Sequence, residues 1–258
     1  MTLLGEKAMA SGEQALVFID VNAGMNRTGV PIAGLSAFCK EAAAIPGVRI
    51  AGLHVYDGNR HEKDLAERLE RVQETLLALS AAVGKDAAPM IIYGGSPSFP
   101  CYAQQLADAQ HSFFAPGTVY IYDIGYREQF PDLPYTPGAA VMARVVSHPA
   151  EGYFTLDAGY KAISAEQIVP GVLLGVPHAK AAFQSEEHWT FVMEEGCEAE
   201  RPAVGEVLYI LPWHICPTTA MYDSVFVVSG GRLTDVWEVT ARDRLPEAKN
   251  GIAVWETY

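Results

Sequence analysis

Basic residues are scarce in this chain: Lys and Arg number 18 against 31 Asp and Glu, a formal net charge of −13. An excess of that sign repels nucleic-acid phosphates and anionic lipid surfaces, so roles on either are disfavoured. The charge reads instead as an ordinary cytoplasmic surface. Cysteine is scarce too. Cys39, Cys101, Cys197 and Cys216 are scattered and form no CxxC pair, which argues against a disulfide framework and for reduced thiols. No apolar run approaches the ~18 residues of a membrane span. Ala8-Met9-Ala10 mimics a signal-peptidase site, but the apolar stretch before it is only Leu3-Leu4, with Glu6 and Lys7 following, so no signal peptide is expected. Internal repeats and low-complexity tracts are lacking as well.

What is present is an apolar half, 50% of 258 residues, enough for one large domain or two modest ones. Ala15–Val21 reads as a buried strand, residues 33–44 as a helix stopped by Pro46-Gly47, and Val48–Val55 as a second strand. Leu65, Leu69, Val72, Leu76, Leu77 and Leu79 recur at helical spacing up to Gly84. A third strand over Met90–Tyr93, a short helix around Tyr102–Ala109 and a fourth strand over Thr118–Tyr122 follow. Apolar strands alternating with helices predict parallel βα units, in an open sheet or in part of a barrel. After about Pro137 strands follow one another without long helices: residues 139–147, 153–156, 205–211, 224–228 and 233–239. That texture predicts an antiparallel β domain, so the fold class is α/β plus β.

Several strand ends carry chemistry. The loop Asp20-Val21-Asn22-Ala23-Gly24-Met25-Asn26-Arg27-Thr28-Gly29-Val30 leaves the first strand on the side where parallel βα folds build active sites, and Arg27 brings a permanent charge there. Gly52-Leu53-His54-Val55-Tyr56-Asp57-Gly58 ends the second strand with a proton-handling set, His54 and Tyr56 alternating onto one face. A satisfied core histidine and a turn-forming Asp-Gly would look the same. Tyr93-Gly94-Gly95-Ser96-Pro97-Ser98 ends the third strand with glycines and hydroxyls able to nest a phosphate, and Tyr122 adds a phenol from the next segment. In Trp213-His214-Ile215-Cys216-Pro217-Thr218, a His and a Cys two apart on an extended segment share a face and suit Zn²⁺ or another borderline-soft ion, with His188 a possible neighbour.

Taken together, these segments resemble the D-threonine aldolase/D-serine dehydratase-like family, fold-type III pyridoxal-phosphate (PLP) enzymes with an alanine racemase-like barrel. Seven segments stand in family order: the Asp20–Val30 loop, Gly52–Gly58, Gly94–Ser98, Pro116–Asp123, Leu156–Ala162, Glu186–His188 and His214–Thr218. Together they reach from about Ala15 to Arg244. The resemblance implies the carboxyl-terminal part of a PLP-binding (β/α)8 barrel over residues 1–136 and a D-serine dehydratase-like β domain with the metal motif over 137–258. It implies PLP held by Arg27, Tyr56, Gly94, Gly95, Ser96 and Tyr122 and a divalent metal (Zn or Mn) on His214 and Cys216; His54, from the proton-handling set at the end of the second strand, is the catalytic candidate. The implied substrate is a small D-3-hydroxy amino acid, cleaved by retro-aldol chemistry or dehydrated, and the implied assembly is a homodimer when the full barrel is present.

One departure accompanies the likeness. Barrels of this type run to roughly 250 residues, and only four of their strands are read here. In the family the early strands carry the lysine that forms a Schiff base with PLP. The lysines of this chain are Lys7, Lys40, Lys63, Lys85, Lys161, Lys180 and Lys249, and none stands in a matching context. The expectation is therefore a chain shortened at its amino end, a non-catalytic PLP- or metal-binding member, or one half of a split enzyme. Half a barrel also leaves open edges and apolar faces, an expected folding and aggregation liability.

Overall fold

The computed structural model of the chain describes residues 1–83 and 90–242. Gly84, Lys85, Arg244 and Lys249 lie outside the described residues. The chain divides into two compact units, Met1–Gly138 and Ala139–Tyr258.

The first unit runs α1 (Thr2–Ala10), β1 (Ala15–Asn22), β2 (Val30–Pro31), α2 (Leu35–Ala43), β3 (Val48–Tyr56), α3 (Leu65–Val83), β4 (Ile91–Gly94), α4 (Phe99–Gln105), β5 (Ser112–Phe114) and α5 (Ile124–Gln129). Its sheet has the order β2-β1-β3-β4-β5, with every pair parallel. The long strands β1, β3 and β4 therefore lie side by side in chain order. A doubly wound sheet reverses direction at a switch point. This one does not, and the order is that of a barrel arc, which decides what composition left open. Pro46-Gly47 stops α2 as expected. Gly47 has φ +78°, and a Cβ there would stand 2.3 Å from the Gly5 carbonyl oxygen, so the turn is seated against α1.

Besides α1, β2 and β5, which the sequence pattern does not announce, several details differ from it. Strand β1 is not buried throughout: Leu16 is 58% exposed, because only alternate residues of the strand face the helices. On α3 the buried stripe is Arg68, Val72, Thr75 and Leu79, while Leu65 and Leu77 face outward. Arg68 can be buried because it ion-pairs with Asp132, donates to the Glu62 carbonyl and lies over the Phe130 ring. The short helix begins at Phe99, three residues early. Finally, Thr118–Tyr122 is not a strand. Pairing ends at β5, and beyond Pro116-Gly117 the amides of Ile121 and Tyr122 both donate to the Thr118 carbonyl, closing a 3-10 turn over Thr118–Tyr120. The alternating aromatic pattern imitates a strand, but Tyr122 has φ +58°.

The second unit holds β6 (Val141–Ser147), β7 (Tyr153–Leu156), β8 (Gly171–Leu173), β9 (Ala179–Gln184), β10 (Trp189–Met193), β11 (Val207–Pro212), α6 (Ile215–Thr219), β12 (Ser224–Ser229) and β13 (Arg232–Glu238). Six strands form an antiparallel sheet ordered β8-β11-β6-β7-β10-β9, and β12 with β13 make a separate hairpin turned at Gly230-Gly231. Val145, Phe154, Leu156, Trp189, Phe191 and Ile210 form the core of this unit. No helix among the described residues is long and apolar enough to cross a membrane.

Candidate active site

Parallel pairing sets two rows of side chains at the carboxyl ends of the strands of the first unit. In one row Asn22, Tyr56 and Gly94 are register partners; in the other Asp20 pairs with His54. His54 Nδ1 lies 3.0 Å from Asp20 Oδ1. Burial works to raise the Asp20 carboxyl, but hydrogen bonds with His54 and Thr28 and the charges of His54 and Arg27 hold it below its ordinary range. His54 thus has a fixed acceptor for one ring nitrogen, which orients the ring and leaves Nε2 for other work.

The loop after β1 is organised by Asn22. Its Oδ1 accepts from the amides of Gly24 and Asn26, and its Nδ2 donates to Asn26 Oδ1. The loop carries Arg27 over the Tyr56 ring, the guanidinium carbon 4.8 Å from the centroid.

The turn after β4 is shaped by its neighbours on β3. A Cβ on Gly94 would stand 2.8 Å from Tyr56 Cδ2, and one on Gly95, at φ +104°, would stand 2.3 Å from Asp57 Oδ1. The two glycines let the Tyr56 ring and the Asp57 carboxylate close onto the turn. Asp57 is fully buried and accepts from Ser98 Oγ at 2.5 Å and from Tyr102 Oη at 3.0 Å. Burial, against those bonds and the Arg60 charge, pushes its carboxyl up to about 6. Ser96 Oγ accepts the Val119 amide at 3.2 Å, tying this turn to the Thr118–Tyr120 turn that leads into Tyr122. Tyr122 is 1% exposed, and its Oη has no hydrogen-bond partner among the described residues. Burial, then Asp123 and Asp132, push that phenol up to about 12, so it stays a proton donor.

The second unit holds the His-Cys pair. The segment is not extended as the sequence reading had it: Cys216 lies in the first turn of α6, and His214 caps that helix with φ −132° and ψ 107°. The two side chains still hydrogen-bond, because His214 stands outside the helix. That bond, against burial and with help from Glu166, pushes His214 up to about 9. Glu166 Oε1 is 2.6 Å from His214 Nδ1, and Ser164 Oγ donates to the same carboxylate. His188 sits in the turn between β9 and β10, where its carbonyl accepts from Ser185. Lys161 is exposed and held by Glu186 and Glu187.

Asp20, Asn22, Tyr102 and Glu166 were missed by reading motifs one at a time, and Ser98, read as a phosphate-nesting hydroxyl, is instead buried and donates to Asp57. Asp20 and Asn22 carried a signal, since they alternate on one strand, but the register that opposes them to His54 and Tyr56 is not written in either segment. Nothing local marks Ser98, Tyr102 or Glu166 as partners of residues some 40 or more positions away.

This arrangement, a parallel arc with its chemistry at the strand ends and an antiparallel unit with a His-Cys pair, is the alanine racemase-like architecture. Residues 2–115 match the family model "Alanine racemase, N-terminal domain", and residues 138–228 match "Putative serine dehydratase domain". D-threonine aldolase of Arthrobacter sp. is 30% identical over 253 residues, covering 94% of this chain and 65% of that protein. The crystal structure of D-threonine aldolase from Filomicrobium marinum superposes with a TM-score of 0.81 at 27% identity, covering 93% of this chain and 66% of that one. D-threo-3-hydroxyaspartate dehydratase from Delftia sp. HT23 shares the fold, with a TM-score of 0.72 at 20% identity over 92% of this chain and 69% of that one. Residues 2–115 and 138–228 thus resemble, in that order, the two domains these models describe, and the chain is similar over nearly its whole length to D-threonine aldolase. It spans about two-thirds of the length of these relatives, 65% of the Arthrobacter protein.

Proposed function

We propose that this chain carries the cofactor floor and the metal pair of a PLP- and metal-dependent lyase acting on D-3-hydroxy amino acids. The observation that carries the reading is the Tyr122 hydroxyl: a buried donor without a partner among the described residues, on the segment that Ser96 ties to the Gly94-Gly95 turn. A buried donor left unsatisfied costs about 1–3 kcal/mol, and a phosphate oxygen would recover it. The donor set fits PLP: hydroxyls on Ser96 and Tyr122 for the phosphate, Gly94 and Gly95 to let chain and ligand approach, and Arg27 on Tyr56 beside the ring. The His214-Cys216 pair, with Glu166 against the imidazole, fits Zn²⁺ or Mn²⁺, the thiolate favouring Zn²⁺. A small D-3-hydroxy amino acid as substrate, a cytoplasmic setting and a homodimer complete the reading.

When bound, PLP supplies an electron sink at the substrate Cα and the divalent ion a Lewis acid for its 3-hydroxyl. The chain's own residues then do the following. Ser96 and Tyr122 hold the phosphate end, and Arg27 and Tyr56 orient the ring. His54 moves a proton at Nε2 while Asp20 fixes Nδ1. A proton taken from Cα favours loss of the 3-hydroxyl, giving a 2-oxo acid and ammonia. A proton taken from the 3-hydroxyl favours Cα–Cβ cleavage, giving glycine and an aldehyde. No lysine of this chain is assigned to the Schiff base; Lys161 and Lys180 are engaged by carboxylates in the second unit. That favours a second reading, a binding member or one half of a split enzyme.

The deciding experiment adds PLP with Zn²⁺ or Mn²⁺ to the chain and follows binding, borohydride-stable adducts, and product from D-threonine, D-serine and D-threo-3-hydroxyaspartate. Turnover lost in His214→Ala supports the lyase directly. Saturable PLP binding without adduct or turnover supports the second reading. Failure to bind PLP defeats both.

A further inference from the structure

We propose that His178, Cys197 and Glu200 form a second metal site on the antiparallel unit, selective for Zn²⁺ or an ion of similar softness, separate from the His214-Cys216 pair. One ligand atom from each of the three lies within 4.8 Å of the other two. They come from three places: His178 just before β9, Cys197 in the turn after β10, and Glu200 in the 3-10 turn Glu198–Glu200. Backbone bonds fix that frame. The Glu194 amide donates to the His178 carbonyl at 2.8 Å, the Cys197 amide to the Glu194 carbonyl at 3.0 Å, and the Glu200 amide to the Cys197 carbonyl at 3.0 Å. Cys197 also packs against the core of the unit.

The two nitrogens of His178 are divided as a metal ligand requires. Nε2 is 3.8 Å from Glu200 Oε2. Two atoms on one tetrahedral Zn²⁺ sit roughly 3.3–3.8 Å apart, given arms of about 2.0–2.3 Å, so this pair already stands near the separation that an ion requires, and the thiol, within 4.8 Å of both, would close onto it. Nδ1 is 3.4 Å from Glu194 Oε2, and Lys180 Nζ holds the other oxygen of that carboxylate at 3.0 Å. A carboxylate behind the non-ligating nitrogen is the usual partner of a metal-bound histidine. A plain ion-pair network would account for His178 between two carboxylates. It gives the thiol no part.

The donor types choose the ion. Imidazole, thiolate and one carboxylate oxygen suit Zn²⁺ far better than Mg²⁺ or Ca²⁺, which take oxygen ligands. Four carboxylates stand between positions 194 and 200, on Glu194, Glu195, Glu198 and Glu200, and their field attracts a cation. Burial, and then Glu200, Glu194 and Glu198, push the Cys197 thiol up. A bound cation reverses that and holds a thiolate, its proton passing to solvent. Three protein ligands leave the fourth position to water, and the bound ion clamps the turn after β10 to the start of β9.

Cobalt(II) titration of the full chain tests the site, with His214→Ala/Cys216→Ser as background so that the other pair does not contribute. We expect one equivalent of Co²⁺ with a near-ultraviolet thiolate charge-transfer band. The band should vanish in an added Cys197→Ser. Glu200→Gln, at an exposed position, should weaken Zn²⁺ binding at least about 10-fold, the scale on which even outer partners of a ligand act. If Cys197→Ser does not fold, protection of Cys197 from iodoacetamide by Zn²⁺ reads the same contact. A background variant with no thiolate band, or a Cys197 that Zn²⁺ leaves fully reactive, overturns the proposal. None of these readouts depends on PLP or turnover.

Discussion

The guanidinium carbon of Arg27 lies 4.8 Å from the centre of the Tyr56 ring, the first residue on the loop after β1 and the second closing β3. Arg27 is exposed, so the stack adds little to folding, on the order of 0.5–1 kcal/mol. Its use is to hold a charge still. Arg27→Ala should weaken PLP binding about 10-fold, near 1.4 kcal/mol, and shift the urea midpoint only slightly. Arg27→Lys should recover little, because an ammonium does not present a flat stacking face. Equal PLP affinity in all three proteins, measured by equilibrium dialysis, would refute this role.

Tyr122→Phe separates ligand from fold. The ring packs against Tyr126 and Tyr135 and would stay in place. Without ligand the variant should be as stable as the parent or about 1 kcal/mol more stable, since it removes an unsatisfied donor. Its PLP affinity should fall about 10-fold. A clear loss of stability would mean the hydroxyl has a structural partner, and the phosphate assignment would fail.

Asp57 makes stability depend on pH in an unusual direction. Unfolded, its carboxyl loses its proton near 3.8; folded, it keeps it until about 6. Between those values the folded chain holds more protons, so raising the pH favours unfolding. Stability should drop by about 3 kcal/mol from this group across that window, at 1.36 kcal/mol for each pH unit between the two values, and stay lowered above it. Asp57→Asn should flatten that part of the profile in urea melts run from pH 4 to 7. An unchanged slope in the variant would assign the effect elsewhere.

Much of the fold was legible because apolar periodicity and glycine punctuation agreed with the final contacts, as in β1, β3 and α3. Strand order was not, since register depends on neighbours distant in sequence. The Thr118–Tyr122 error came from alternating aromatics over a segment whose backbone closes a 3-10 turn. In the second unit β8, β9 and β10 went unread: β8 is three residues long, β9 is poor in β-branched residues and lies exposed at the sheet edge, and β10, Trp189–Met193, is buried almost throughout and so shows no apolar–polar alternation. The motifs of the candidate site can be read in the sequence. The supports of that site cannot: Asp20 under His54, and Glu166 against His214, are contacts made only by folding.

The contact between Gly94 and Tyr56 links the histories of two positions. Any side chain at 94 would meet the Tyr56 ring at 2.8 Å. A lineage could therefore gain one there only after, or together with, a smaller residue at 56, which would surrender the face that Arg27 covers. Substitution at position 94 is constrained by the ring at 56, and the order in which the changes arrive decides whether the intermediate must displace that ring.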